Sequence, residues 1–296
     1  MKTDFGRRRR SPTYSMAMTM FMLLVTTFFL SSVISFCSAS DRLGEGGTYS
    51  FSLTTFDPSG KLGQVERAMT AASLGVPLLA ACHNDGIISF AAPQILPSPL
   101  HKDDGTTRFS PISPNIAICH SGISADGRVV IAAAQQLAME HAFTFDEPIP
   151  ISIFLEEVSL LFQEYTMKVG ARPMGVTLLI GYVPHTDDDA DDSDASPQLY
   201  RIDPSGAVSS LGKTAIVNGN FGTTDIGLQK KLEQLAEENL EDEESRRQRL
   251  WQIMSEALDQ ASKDKGVKAP APTTILTASL SRNNGFTVDR ISPSKQ

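Results

Sequence analysis

The sequence predicts an α+β fold, and the grouping of its elements fits sheets packed face to face and covered by helices on both outer sides, although pattern alone does not fix that layering. Three observations predict it. First, three turn-linked strand pairs punctuate the chain: Leu78–Cys82 with Ile87–Ala92 across Asp85-Gly86, Leu199–Ile202 with Ala207–Ser210 across Asp203-Pro204-Ser205-Gly206, and Ile275–Ser281 with Phe286–Ile291 across Asn283-Asn284-Gly285. Second, two amphipathic helices, about Ser124–Phe143 and Ile151–Val169, lie between the first two pairs. Third, two more helices, about Asp225–Ala236 and Ser245–Ser262, precede the last pair.

Taken in order, residues 1–40 read as a targeting segment. Arg7–Arg10 form a basic block, Met16–Phe36 is a nearly uncharged apolar run, and Cys37-Ser38-Ala39 supplies small residues suited to cleavage after Ala39. The run is long enough to span a bilayer, so an uncleaved signal anchor also fits, and with it the chain's one route to a membrane. Upstream sequence attached by a misplaced start is a third reading. The segment is expected to direct the chain to the secretory route or an organelle; on the misplaced-start reading the chain stays in the cytoplasm and nucleus. Residues 41–296 form the folded domain.

Within that domain, Tyr49–Phe56 is an alternating arm that ends in the turn Asp57-Pro58-Ser59-Gly60. A helix follows at once, with Leu62, Val65, Met69 and Ala72 at helical spacing as its expected buried stripe. Gly75-Val76-Pro77 breaks it. Pro93, Pro97 and Pro99 mark a loop after the first strand pair, and Ile116–His120 is a further strand. The helix at Ser124 is expected to bury Val130, Ala133, Leu137 and Ala138; the next carries Phe154, Val158, Leu161, Phe162 and Tyr165. Val176–Tyr182 is a buried strand. The last two helices present Leu228, Leu232, Leu235 and then Leu250, Met254, Leu258, Ala261, with an acidic junction from Glu237 to Glu244.

Composition excludes several function classes. Residues 1–40 carry five Lys and Arg against one acid, leaving 21 against 33 for the remainder. That acidic balance argues against nucleic acid as a partner. Three cysteines make no disulfide framework; Cys82 and Cys119 sit in apolar runs and read as reduced core residues. No Cys-x-x-Cys or His-rich spacing offers a zinc site. The acidic stretch Asp187–Asp194, within a loop at about 185–197, lacks the central Gly and closing Glu of an EF-hand and reads as a solvated insertion. No metal or cofactor is expected.

The order Tyr49…Phe56-Asp57-Pro58-Ser59-Gly60-Lys61-Leu62-Gly63-Gln64-Val65-Glu66 closely resembles the amino-terminal signature of proteasome core-particle α-type subunits. The arm is most similar to type 2 members. Ser121-Gly122 with Asp126 and Arg128, Glu147-Pro148-Ile149-Pro150, Gln163-Glu164-Tyr165-Thr166, Arg172-Pro173-Met174-Gly175 and Asp203-Pro204-Ser205-Gly206-Ala207 continue the match over roughly residues 45–291. The resemblance implies a four-layer αββα sandwich, the fold of amino-terminal nucleophile hydrolases. It also implies a non-catalytic ring subunit that assembles with neighbouring α-type and β-type subunits and gates substrate for ubiquitin-dependent protein degradation.

Roles follow residue by residue from that resemblance. Tyr49 and Pro58 match the gate-arm cluster; its third position, usually Tyr, is Arg67 here. Leu62, Gln64, Val65, Glu66 and Met69 match the helix that meets a neighbouring subunit. Ala92, Pro93 and Gln94 stand where the family has Glu-Lys-Lys, so contacts to activator or ATPase tails should be weakened. The targeting segment, Arg67 and Pro93-Gln94 also suit a diverged paralogue that kept the fold but left the ring.

An active threonine- or serine-type hydrolase is the remaining reading, and residue positions oppose it. Such an enzyme needs a free amino-terminal Thr, Ser or Cys at its first core strand. Counting from Asp85-Gly86 places that position near Val76 and the supporting Asp at Ala92. Cleavage after Ala39 would expose Ser40, which belongs to the arm. Ser121 beside His120 reads as a structural turn serine, with His120 a plain edge residue.

Overall fold

The structure is a computed structural model that describes residues 55–94, 108–168, 170–184, 196–217, 225–238, 243–264, 274–281 and 285–291. The targeting segment, Tyr49 and the acidic loop lie outside the described residues. The element order is α1 (Gly63–Ser73), β1 (Leu78–Cys82), β2 (Ile88–Gln94), β3 (Phe109–Ser113), β4 (Ile116–Gly122), α2 (Ser124–Phe145), α3 (Ile151–Met167), β5 (Val176–Tyr182), β6 (Gln198–Ile202), β7 (Val208–Leu211), β8 (Thr214–Val217), α4 (Asp225–Glu237), α5 (Glu243–Asp264), β9 (Thr274–Ser281) and β10 (Gly285–Ile291).

Two antiparallel five-stranded sheets form, ordered β10-β9-β2-β1-β8 and β3-β4-β5-β6-β7. Strand alternation then builds three apolar layers. Leu78, Ala80, Phe90 and Ala92 of the first sheet meet Ala117, Cys119 and Leu179 of the second. Leu79, Ala81 and Ala91 face the other way, against Leu228, Leu232 and Leu250 of α4 and α5. Ile118, Leu178 and Ile180 lie beneath Val130 and Ala134 of α2 and Phe154 and Phe162 of α3. Helices, sheet, sheet, helices: this is the αββα sandwich. Because β1 is covered on both faces, all five of its residues are buried.

Small residues allow the layers to close. A Cβ at Gly181 of β5 would lie 2.5 Å from Phe90 Cζ, so the ring of one sheet occupies the space a side chain would need on the other. Cys82 and Cys119 are free and buried. Burial pushes the Cys82 thiol up to about 12 and raises Cys119 as well, which makes both poor nucleophiles.

The structure differs from the sequence reading at five places. Strands β3 and β8 were unmarked: both are short sheet edges, and β3 contains Pro111 beside a bulge. Strand β2 runs on through Pro93 and Gln94, which pair with Ile275 and Thr274 of β9. Pro93 is tolerated because it lies past the end of the β1 register, where Leu79 pairs with Ala91. His120 is not an edge residue but a buried member of β4, 3% exposed, between β3 and β5. On α2 the buried stripe is Val130, Ile131, Ala134 and Ala138, with Ala133 and Leu137 half-buried. Helix α2 also runs two residues past Phe143, to Phe145, and is capped by Asp146 in the left-handed region at φ 58°.

Charged side chains fasten the last helix. Arg246 of α5 pairs with Asp85 of the β1–β2 turn at 2.5 Å, and Arg247 pairs with Asp289 of β10. His83, in the same turn, is 3% exposed and its Nε2 lies 3.0 Å from Ser89 Oγ.

The two buried histidines set an acid limit. Burial, reinforced by nearby arginines, lowers His83 and His120 to about 4 from 6.5. Unfolded chains therefore bind protons that the folded chain refuses between those values, so stability falls as pH falls through that window. The loss is about 3 kcal/mol per histidine on full protonation. Urea midpoints should fall between pH 7 and pH 4, and His120→Asn should fall less than the parent.

Candidate functional site

The site begins at a rigid turn. Asp57 Oδ1 accepts hydrogen bonds from Ser59 N at 2.9 Å, Ser59 Oγ at 2.7 Å and Lys61 N at 2.8 Å. Asp57 N also donates to Lys61 O, and Gly60 adopts φ 80°, where other residues are strained. These donors, Ser59 first, hold the Asp57 carboxyl below its ordinary value. Pro58 is exposed at the turn, a position suited to its fixed φ. The turn from Asp57 to Lys61 is therefore fixed just ahead of α1.

Helix α1 buries Val65, Ala68 and Ala72. Met69 is 39% exposed, so the buried stripe runs through Ala68 rather than Met69. Glu66 and Arg67 are exposed too, while Leu62 and Gln64 are half-buried. Of the five residues expected to meet a neighbour, Val65 is thus spent on the chain's own core. Beyond the helix, Leu74 is 79% exposed, and before it Phe56 is 62% exposed. Apolar side chains therefore line the outer surface of α1 and its flanks.

A crossing of three glycines seats α1. A Cβ at Gly75 would strike Gly122 N and lie 2.7 Å from Gly122 Cα; a Cβ at Gly122 would strike Gly175 O. Gly122 also sits at φ 112°. The α1–β1 connection, the end of β4 and the start of β5 thus pass at backbone contact. Ser121 Oγ donates to Val76 O, and Ile123 N donates to Gly175 O at 2.9 Å.

Asp126 locks the crossing from the first turn of α2. It accepts two hydrogen bonds from Arg172, at 2.6 and 2.8 Å, and one from Gly175 N at 2.9 Å. The Arg172 guanidinium holds the Asp126 carboxyl below its ordinary range. A carboxylate at a helix N-terminus is favoured by the dipole as well. Residues 46 apart in sequence become one clamp.

This geometry seats a helix ahead of β1. Val76 lies inside the chain between α1 and β1, with its carbonyl occupied by Ser121. Ala92 is fully buried in the inter-sheet core. Among the described residues no group of three His, Cys, Asp or Glu could hold a metal ion. No described helix is long and apolar enough to cross a membrane.

A family profile described as proteasome subunit matches residues 72–270. The chain belongs to the proteasome subunit family. Similar proteins include the proteasome subunit alpha type-2-A of Arabidopsis thaliana, 36% identical over 184 residues that cover 62% of this chain and 73% of that one. The Drosophila melanogaster alpha type-2 subunit is 38% identical over 179 residues, covering 58% and 72%. That of Trypanosoma brucei brucei is 36% identical over 171, covering 58% and 70%.

The three residues Ala92, Pro93 and Gln94 take unequal places. Ala92 and Pro93 are buried in the chain itself. Gln94 is half-buried and keeps contact with solvent. Tyr49, the arm's gate position, lies outside the described residues. The Asp126–Arg172 clamp was visible beforehand as two motifs, although nothing in their spacing showed that they meet.

The clamp and the crossing are separable by mutation. Asp126→Ala leaves Gly175 N–H and Arg172 without their acceptor, and Arg172 is largely exposed, so the cost should be about 1–2 kcal/mol. Gly75→Ala drives a methyl into backbone and should cost several times more, or prevent folding. Urea denaturation orders the two; equal costs would contradict the crossing.

Proposed function

We propose that this chain is a non-catalytic α-ring subunit of a proteasome-like core particle. It assembles with neighbouring α-type and β-type subunits and gates substrate destined for degradation, through the ubiquitin-dependent route in the family. The observation that carries this reading is α1 ahead of β1. The helix precedes the first core strand in the chain, and the residue at the nucleophile position, Val76, is internal and lacks a hydroxyl or thiol. The chain therefore lacks its own nucleophile, and its part is mechanical.

Assembly uses the exposed surface of α1. A closed ring needs a different patch on each side of each subunit, and Glu66, Met69 and the neighbouring Leu74 supply an apolar patch with a charged border on one side. Tyr49, Pro58 and Arg67 belong to the gate, where Arg67 cannot reproduce the contacts of a tyrosine ring and hydroxyl. Gln94 lacks the charge that a lysine would offer an activator carboxylate, a contact of about 1.5–3 kcal/mol. Opening by activator tails is correspondingly weaker at this subunit.

Met69→Asp tests the assembly role without touching the core. The variant should fold with the parent's stability yet co-sediment with large particles at least tenfold less. Normal assembly of Met69→Asp would remove α1 from the interface.

Residues 1–40 carry the chain out of the cytosol. The basic block followed by the apolar run supports this reading, with membrane contact only if the segment stays attached. A fusion of residues 1–45 to a fluorescent reporter should enter the secretory route or an organelle. Diffuse cytosolic and nuclear signal would refute it.

A further inference from the structure

Two side chains on the α2-covered face of the second sheet have buried nitrogen atoms without a partner. His120 N donates to Arg108 O at 3.1 Å, which extends the β3–β4 ladder one step beyond the pair Phe109 and Cys119. Arg108 and His120 are therefore directly opposed, and opposed residues share a face. Phe109 and Cys119 point into the inter-sheet core, so Arg108 and His120 stand on the helix side. A Cβ at Gly127 would strike His120 Cδ2 and lie 2.9 Å from Nε2. That ring edge lies against the first turn of α2. The opposite edge carries Nδ1, which is buried and unpartnered, as is Arg108 Nη1.

A buried unpaired donor is rare and calls for a ligand, ion or water. For arginine the demand is stronger, because its charge cannot be discharged. Along β3, β4, β5 and the first three turns of α2 the sequence places one carboxylate, Asp126. It is already taken by Arg172 and Gly175 N. Arg128, on the next residue after Gly127, adds a second cation; both arginines disfavour a charge on His120, while the Arg108 carbonyl facing the ring acts the other way. The N-terminus of α2 adds further positive potential. Leu178 of β5 closes the apolar side of His120. Arg108 is half-buried at the start of the described segment.

We propose that Arg108 and His120, beneath the first turn of α2, form a binding site for a small oxyanion, a carboxylate or a phosphate. Arg108 Nη1 supplies a charged donor. Neutral His120 carries its proton on Nδ1 and supplies the second, so the ring donates without taking a charge into the core. A carboxylate could come from an acidic side chain or from free solute; a phosphate is matched by the arginine fork. The site stands independently of the ring role, since it involves neither α1 nor the arm.

The test uses the full chain with isotope-labelled histidine, followed by NMR during separate titrations with inorganic phosphate and sodium acetate at constant ionic strength. His120→Asn assigns the resonance. The His120 ring signals should move saturably with phosphate, acetate or both, and the two arms show which oxyanion fits. Arg108→Gln should weaken that response at least tenfold, while unchanged His83 signals report that the variant is folded. Absence of a saturable shift in the parent with either anion would overturn the proposal and leave water as the partner. So would an equal response in Arg108→Gln.

Discussion

Everything on the outer end of this subunit depends on three backbones that meet without side chains between them. Gly75, Gly122 and Gly175 let the α1–β1 connection pass over the end of β4 and the start of β5. Close approach of this kind admits no Cβ at Gly75 or Gly122, while a Cβ at Gly175 would meet the Ile123 side chain. Ser121 and Asp126 then satisfy polar groups that the crossing would otherwise bury unpaired. The seat of α1 is fixed by backbone contact and hydrogen bonds more than by its apolar area, since only three of its residues are buried.

That seat decides what the fold can do. The αββα sandwich is shared with enzymes that work from a free amino-terminal residue on the first core strand, so fold alone does not settle activity. Here the strand is preceded by a docked helix, and the apolar surface left outside belongs to Phe56, Met69 and Leu74. A closed inner core and an unsatisfied outer helix fit a part that works by position in an assembly. Reduced, strongly buried Cys82 and Cys119 add no chemistry of their own.

Much of the architecture was legible because its signals are local. Asp85-Gly86, Asp203-Pro204-Ser205-Gly206 and Asn284-Gly285 mark turns by φ preference, and the stripes Leu228/Leu232/Leu235 and Phe154/Val158/Phe162 mark helices by period. What failed to show was long-range. Strands β3 and β8 are four or five residues at sheet edges, where few positions are buried and alternation has no room to repeat. Met69 and Ala68 are both apolar and adjacent in register, so spacing could not say which one turns inward. Ala92 matched a pocket position by motif, yet strand alternation points it into the inter-sheet core. The encounter of Asp126 with Arg172 and the opposition of Arg108 to His120 exist only in the folded chain.

The most direct test of the account is the native size of the chain and the identity of what travels with it. A tagged full-length copy, isolated gently and resolved by size-exclusion chromatography, should elute in a particle of many subunits. Mass spectrometry of that fraction should find other α-type and β-type proteasome subunits in near-equal amounts. Elution as a lone folded monomer, with no other proteasome subunit beside it, would contradict the account.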